Sequence, residues 1–199
     1  MEDLKQEIDL DFILDDVVKV VGESLEGAER VKKIVQDLKD FSHVNESELK
    51  YANINKGLES TLNIVWNEIK YKAEVIKDYG ELPEILCYPM QLNQVFMNIL
   101  VNASHAIEKK GEIKIVTRDL NDGNIEVRIS DTGKGISEAD QKKIFDPFFT
   151  TKEVGQGTGL GLSVAYGIIQ NNGGSLEVES EEGKGSTFII KLPVKSIEE

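Results

Sequence analysis

The 199 residues carry 23 Lys and Arg against 36 Asp and Glu, a formal net charge of −13, with 40% apolar and 30% charged side chains. This is the composition of a globular, water-soluble chain, and its negative field repels nucleic acid and anionic membranes. Any phosphate ligand must therefore be held by local donors and a cation.

Cys87 is the single cysteine, so no intrachain disulfide is available and a small buried thiol in a reducing, cytoplasmic setting is the expectation. No apolar run approaches the roughly 20 residues of a membrane span. The opening MEDLKQEIDL is too acidic for a signal peptide. These residues predict no membrane contact of their own, although a parent receptor could be anchored elsewhere.

In chain order, residues 7–43 lack proline, and Leu14, Val18, Val21, Leu25 and Ala28 recur at alternating steps of four and three. After a three-residue phase slip the stripe continues through Val31, Val35 and Leu38. This pattern predicts one long helix with a coiled-coil-like seam, supported by the i,i+4 pairs Glu26–Arg30 and Glu29–Lys33. Such a helix needs a partner, either the following domain or another chain.

Alternating elements follow. YANIN predicts a short strand, 56–71 a helix, AEVIKDY a strand, and 89–109 a helix with Pro89 in its first turn. EIKIVTRDL and NIEVRISD, joined around Asp122-Gly123, form a predicted hairpin. Beyond them lie a short helix over 138–144, an irregular stretch over 146–159, a helix over 160–171, and a second hairpin of SLEVES and STFIIKLP. The order implies an α+β fold: a two-layer α/β sandwich, a mixed sheet with helices on one face, preceded by one long helix. The expected division is a helical segment over 1–47, a catalytic-type domain over 48–195 and a tail over 196–199.

The glycines raise the question of chemistry. Gly133 and Gly135 would need a third glycine at 138 for a dinucleotide fingerprint, and Glu138 stands there. Gly157 and Gly159 are followed by Leu162 where that fingerprint wants glycine. A phosphate-binding Walker loop also fails, since Gly133-Lys134 and Gly183-Lys184 are each followed by glycine rather than Ser or Thr. On the 89–109 helix, Gln94, Asn98, Asn102 and His105 share a face opposite Leu92, Val95, Phe96, Ile99, Leu100 and Val101. Asparagine is an indifferent helix former, so a stripe of it needs a reason. Amide oxygens facing a pocket suit a hard cation such as Mg²⁺, which brings phosphates with it.

Together these motifs resemble the ATP-binding catalytic region of sensor histidine kinases, within the GHKL superfamily. The resemblance runs from about residue 10 to 194: NILVNASHAI is similar to the N box, DTGKGI to the first glycine box, KKIFDPFFTTK to the F box, GQGTGLGLS to the second glycine box, and GKGSTFIIKLP to the closing strand pair. It implies a Bergerat-type ATP fold and the cofactors ATP and Mg²⁺. By resemblance, Asp131 accepts the adenine amino group, with Gly133 and Gly135 letting the base lie against backbone, Ile136 a further cofactor-binding position, and Ser186 or Thr187 supporting the contact. Asn102 resembles the Mg²⁺ ligand, assisted by Asn98. Gly157, Gly159 and Gly161 resemble the phosphate-facing lid, and Gly155, Thr158, Leu160 and Leu162, with Phe145 and Thr151 from the F box, are further cofactor-binding positions the resemblance implies. Lys152 and His105 are the candidates for the γ-phosphate.

The family's phosphoacceptor opens a motif resembling H-E-x-N-P. Neither His43 in DFSHVN nor His105 in NASHAI has those neighbours. ERVKKIVQDLKDFS resembles the second helix of the dimerisation and phosphotransfer hairpin, so the acceptor helix is expected outside this chain, which would then be unable to phosphorylate itself. The implied partners are that helix, a response-regulator receiver domain, and a second copy in the full-length protein. GHKL hydrolases such as type II topoisomerases, MutL-type repair proteins and heat-shock chaperones carry a glutamate base where Asn98 stands, which favours phosphotransfer here. The alternatives are a nucleotide-binding pseudokinase or dimerisation module, or a GHKL serine kinase; the latter lacks a long helix like 7–43.

Overall fold

The computed structural model describes residues 10–42, 48–152 and 157–194. Helix α1 (Leu10–Ser42) carries the predicted seam. Its described seam side chains, among them Val18 at 72% and Leu25 at 63%, stay exposed, so the following domain does not cover the stripe. The Glu26–Arg30 and Glu29–Lys33 pairs, the Leu38 side chain, residues 7–9 and His43 lie outside the described residues.

The remaining elements are β1 (Lys50–Ala52), α2 (Ile54–Ile69), β2 (Ala73–Tyr79), β3 (Ile85–Cys87), α3 (Pro89–Ala106), β4 (Gly111–Asp119), β5 (Asn124–Asp131), α4 (Glu138–Gln141), α5 (Gly161–Asn171), β6 (Ser175–Glu181) and β7 (Gly185–Pro193). Five strands form one sheet in the order β2-β4-β5-β7-β6. Only β2–β4 is parallel; the other three pairings are antiparallel. The expected mixed sheet with helices on one face is what the chain forms.

Alternation along the strands decides the layers. Ile113, Ile115, Ile125, Val127, Ile129, Ile190 and Leu192 are buried and meet Leu58, Leu62, Phe96, Ile99, Leu100, Ala165 and Ile168 from the helices in one core. Each large apolar side chain taken from water contributes about 1.5–3 kcal/mol, so this face specifies the register. The opposite face is polar: Arg128 pairs with Glu179 at 2.8 Å, and Thr187 Oγ1 donates to Ser130 Oγ at 2.9 Å. Among the described residues no helix is long and apolar enough to cross a membrane.

Several boundaries differ from the sequence expectations. Asn53, which YANIN places in a strand, instead caps α2, its side chain accepting from the Lys56 N–H. Helix α2 therefore starts before residue 56. Helix α3 begins at Pro89 as expected and stops at Ala106 rather than 109, and α4 is shorter than 138–144. ILC forms an unexpected strand, pairing antiparallel with β1. The first hairpin turn is built as its residues demand: Asn121 and Gly123 take positive φ, and Asp122 accepts from the Asn124 N–H.

The second hairpin supplies a stability test. Gly185 has φ +112 and a Cβ there would sit 1.9 Å from the Asp131 carbonyl oxygen, whereas nothing lies within 4 Å of a Cβ at Gly167 on α5. Gly185→Ala is expected to cost about 2 kcal/mol or more in urea unfolding. Gly167→Ala is expected to stabilise by about 0.5–1 kcal/mol. Equal effects in the two variants would contradict the close approach.

Candidate functional site

One end of the site is built on α3. Its apolar face is fixed in the core by Leu92, Val95, Phe96, Ile99 and Leu100, so Asn98, Asn102 and His105 turn the other way. Asn98 Nδ2 donates to the Gly161 carbonyl at 2.9 Å, tying α3 to the first turn of α5. One turn on, Lys152 Nζ donates to Asn102 Oδ1 at 3.4 Å and to His105 Nδ1 at 2.8 Å. An ammonium group has no lone pair to offer, so Nδ1 is the acceptor and His105 holds its proton on Nε2. Lys152, Asn102 and His105 thus come together as expected, with a cationic group already seated at the Asn102 oxygen.

Among the described residues there is no group of three or more His, Cys, Asp or Glu side chains that could hold a metal. A divalent ion here would depend on amide oxygens and on the oxygens of a ligand it accompanies, the mode in which Mg²⁺ binds with phosphates.

The other end is built on β5 and β7. Asp131 closes β5 at 7% exposure and accepts from the Gly133 N–H at 2.8 Å. Burial pushes its carboxyl above the ordinary range; the backbone N–H groups of Gly133 and Ser186 oppose that shift. Ser186 pairs with Asp131 across the strands and so shares its face, while Thr187 pairs with Ser130 on the opposite face. Of the two hydroxyls expected beside Asp131, Ser186 is there and Thr187 is not.

The glycines of DTGKG allow close approaches of the protein's own backbone. A Cβ on Gly133 would fall 2.6 Å from Ala106 at the end of α3, and one on Gly135, at φ +69, would fall 2.1 Å from the Glu181 carbonyl oxygen. The Lys134 N–H donates to Ala106 O at 3.0 Å, and the Gly183 N–H donates to Lys134 O at 2.7 Å. The loop after Asp131 is thereby threaded between helix end and hairpin.

The irregular stretch is closed at its base. The Phe148 N–H donates to Gly159 O at 3.0 Å, with Phe148 at φ +67 and Gly159 at φ +69. Between these points lie Thr151, which is exposed, and Lys152, Gly157 and Thr158, which are half-buried; Gly155 lies outside the described residues. Leu160 is buried and Leu162 half-buried. Helix α5 begins with no side-chain cap, so its first N–H groups are suited to an anion. Phe145 packs on Tyr166 with ring centroids 5.2 Å apart, and Ile136 packs against the core.

Ser180 and Gln141 were not foreseen. Gln141 Nε2 donates to the carbonyls of Ile136 and Ser180, each at 2.9 Å. Ser180 Oγ accepts from the Ile136 N–H at 2.9 Å. They fasten the loop to β6. Along α3, Asn98 meets α5, Asn102 meets Lys152, and Ala106 meets Gly133; eight residues at 1.5 Å each make this edge about 12 Å long.

Residues 87–196 match the family of histidine kinase-, DNA gyrase B-, and HSP90-like ATPases. The chain is 34% identical over 171 residues to the sensor histidine kinase ZraS of Klebsiella oxytoca, covering 84% of this chain and 36% of that one. It is 38% identical over 172 residues to the signal transduction histidine-protein kinase AtoS of Escherichia coli strain K12, covering 85% and 28%. The chain thus spans about a third of the length of these relatives. The solved catalytic domain of histidine kinase ThkA aligns with a TM-score of 0.66 at 31% identity, over 74% of this chain and 96% of that one. ThkA in complex with the response regulator protein TrrA aligns at 0.70 and 27%, over 85% and 48%.

The raised Asp131 carboxyl has a signed consequence. The folded state binds the proton more tightly than the unfolded chain, whose carboxyl titrates near 3.8. Its contribution to stability is full below that pH and is lost as pH rises through the folded value. Asp131→Asn lacks this loss, so the variant's unfolding free energy relative to the native chain should increase from pH 3.8 upward. Urea titrations of both proteins across pH 3.5–8 check it; a difference independent of pH, or one falling with pH, contradicts the assignment.

Proposed function

The chain belongs to the histidine kinase-, DNA gyrase B- and HSP90-like ATPase family, and from that premise we propose that it is the ATP-binding core of a two-component sensor histidine kinase. It transfers the γ-phosphoryl group of ATP to a histidine outside these residues. The observation that carries this reading is the pairing of a buried carboxylate, Asp131, with the Asn102–His105–Lys152 cluster at the two ends of one α3 edge.

In this reading Asp131 accepts from the adenine amino group, and its carboxylate, already desolvated, is improved by gaining a donor. Asn102, with the Asn98 oxygen beside it, would hold Mg²⁺; when bound, the ion offsets charge on the phosphates. The seat of the Lys152 ammonium on Asn102 Oδ1 supports this, because that oxygen already accepts from a cation. Lys152 and the His105 Nε2–H are the donors for the terminal phosphate. The uncapped start of α5, with Gly157 and Gly159 leading into it, supplies backbone N–H groups to the remaining phosphate oxygens. Local donors of this kind allow an acidic protein to hold a polyanion.

Residues 48–195 would form the catalytic domain. The exposed stripe of α1 within residues 1–47 would be covered by the acceptor helix and a second copy of the chain. His105 is engaged by Lys152 and lacks the acceptor motif, which supports transfer to a histidine on a separate helix rather than within this chain. The complex of ThkA with TrrA supports a receiver domain as the next partner. The lone buried Cys87, its thiol pushed up to about 11 by burial, suits a cytoplasmic setting.

The test mixes the chain with labelled ATP, Mg²⁺ and a polypeptide bearing the acceptor-histidine helix of a full-length parent. Acid-labile label should appear on the added helix. Binding of ATP without transfer would sink the kinase half of the reading. Asp131→Asn should weaken ATP binding about tenfold or more; unchanged affinity would sink the base assignment.

A further inference from the structure

Ser180 stands opposite Ser186 in the β6–β7 pairing, and its hydroxyl has three neighbours. It accepts from the Ile136 N–H at 2.9 Å, donates to the Gly185 carbonyl at 2.8 Å, and lies 2.9 Å from Ser186 Oγ. A serine hydroxyl has one proton and two lone pairs. The Gly185 carbonyl has no proton to give, so Ser180's proton goes there. The Ile136 amide occupies one lone pair. The contact with Ser186 is then satisfied only when Ser186 donates into the other. Ser186 Oγ is left with lone pairs alone on the face it shares with Asp131.

We propose that Ser180 is a positioning residue that determines purine specificity: by taking the Ser186 proton, it keeps the base end of the site built of acceptors. An acceptor pair of Asp131 and Ser186 matches the six-amino group of adenine. It refuses the six-keto oxygen of hypoxanthine or guanine, which would meet lone pairs from both sides. A Ser186 hydroxyl released from Ser180 could turn its proton to that oxygen. Ser180 itself acts through Ser186 and needs no contact with the nucleotide. This inference rests on the reading of Asp131 as the base acceptor.

The test compares dissociation constants for ATP and inosine triphosphate in the native chain and in Ser180→Ala, Ser180→Cys and Ser180→Thr. Cysteine keeps the volume but is a weak hydrogen-bond partner; threonine keeps the hydroxyl. The native chain should prefer ATP. S180A and S180C should narrow the preference about tenfold, the worth of one hydrogen bond to a well-matched group, while S180T retains it. If S180A and S180C weaken both nucleotides by the same factor, Ser180 is only a brace of the hairpin and the inference fails. Asp131→Asn, measured alongside, separates the two claims. Native ATP affinity in that variant defeats the base assignment itself, whereas lost affinity together with an unchanged preference in S180A and S180C defeats the Ser180 inference alone.

Discussion

The site depends on three places where backbone touches backbone. Gly133 lies against the end of α3, Gly135 against the Glu181 carbonyl, and Gly185 against the Asp131 carbonyl, each so close that a Cβ would fall 1.9–2.6 Å from a neighbour. These contacts bind the helical layer, the central strand and the β6–β7 hairpin at one point, and Asp131 sits at that point. A carboxylate so placed would prefer water, and burial penalises its charge. It stays because the surrounding backbone leaves it nowhere else to go, which is the condition under which a strained or desolvated group persists in a folded protein. The result is a desolvated acceptor fixed before any ligand arrives.

Most of the architecture was legible because it obeys simple periods. The α3 face repeats at three and four, the strands of both hairpins alternate, and Asp122-Gly123 marks a turn that the structure builds with positive φ at Asn121 and Gly123. What failed was local and short. ILC is too brief for alternation to be visible, and it gains its identity only from pairing with β1, more than 30 residues earlier. Asn53 carries both a strand-like neighbourhood and a capping side chain, and the cap wins because it satisfies an N–H of α2 that would otherwise lack a partner. The seam of α1 was legible as a pattern, but the sequence left open which surface meets it; the exposure of its described residues removes the following domain from the choices.

At the site, residues on one element were easier to read than residues joined across elements. Asn98, Asn102 and His105 announce themselves by spacing along a single helix. Choosing Ser186 over Thr187 was also within reach: Phe188, Ile190 and Leu192 alternate toward the core, and counting back two places from Phe188 puts Ser186 on that face. Ser180 and Gln141 had no such signal, since the contacts that fasten the loop to β6, Ile136 N–H to Ser180 Oγ and Gln141 Nε2 to the Ser180 carbonyl, join residues more than 35 positions apart. The glycines after β5 have a cause the sequence does not display: the space a side chain would fill there is already taken by Ala106 and Glu181.

Asn98 illustrates how one side chain can bear on both fold and reaction class. A glutamate at this place would bring a general base, the property by which the hydrolytic GHKL members activate water. The amide here cannot accept a proton usefully near neutral pH, and the structure adds a second reason for it: Asn98 donates to the Gly161 carbonyl. A carboxylate is an acceptor only and would face that carbonyl with like polarity, so it could not hold α5 to α3. The start of α5 is also where the uncapped N–H groups lie. Replacing the amide with a base would therefore both introduce water chemistry and loosen the anion-facing helix end. Retaining a donor at residue 98 keeps that end in place, and under the proposed kinase reading it would leave a bound phosphate to a protein nucleophile instead of water.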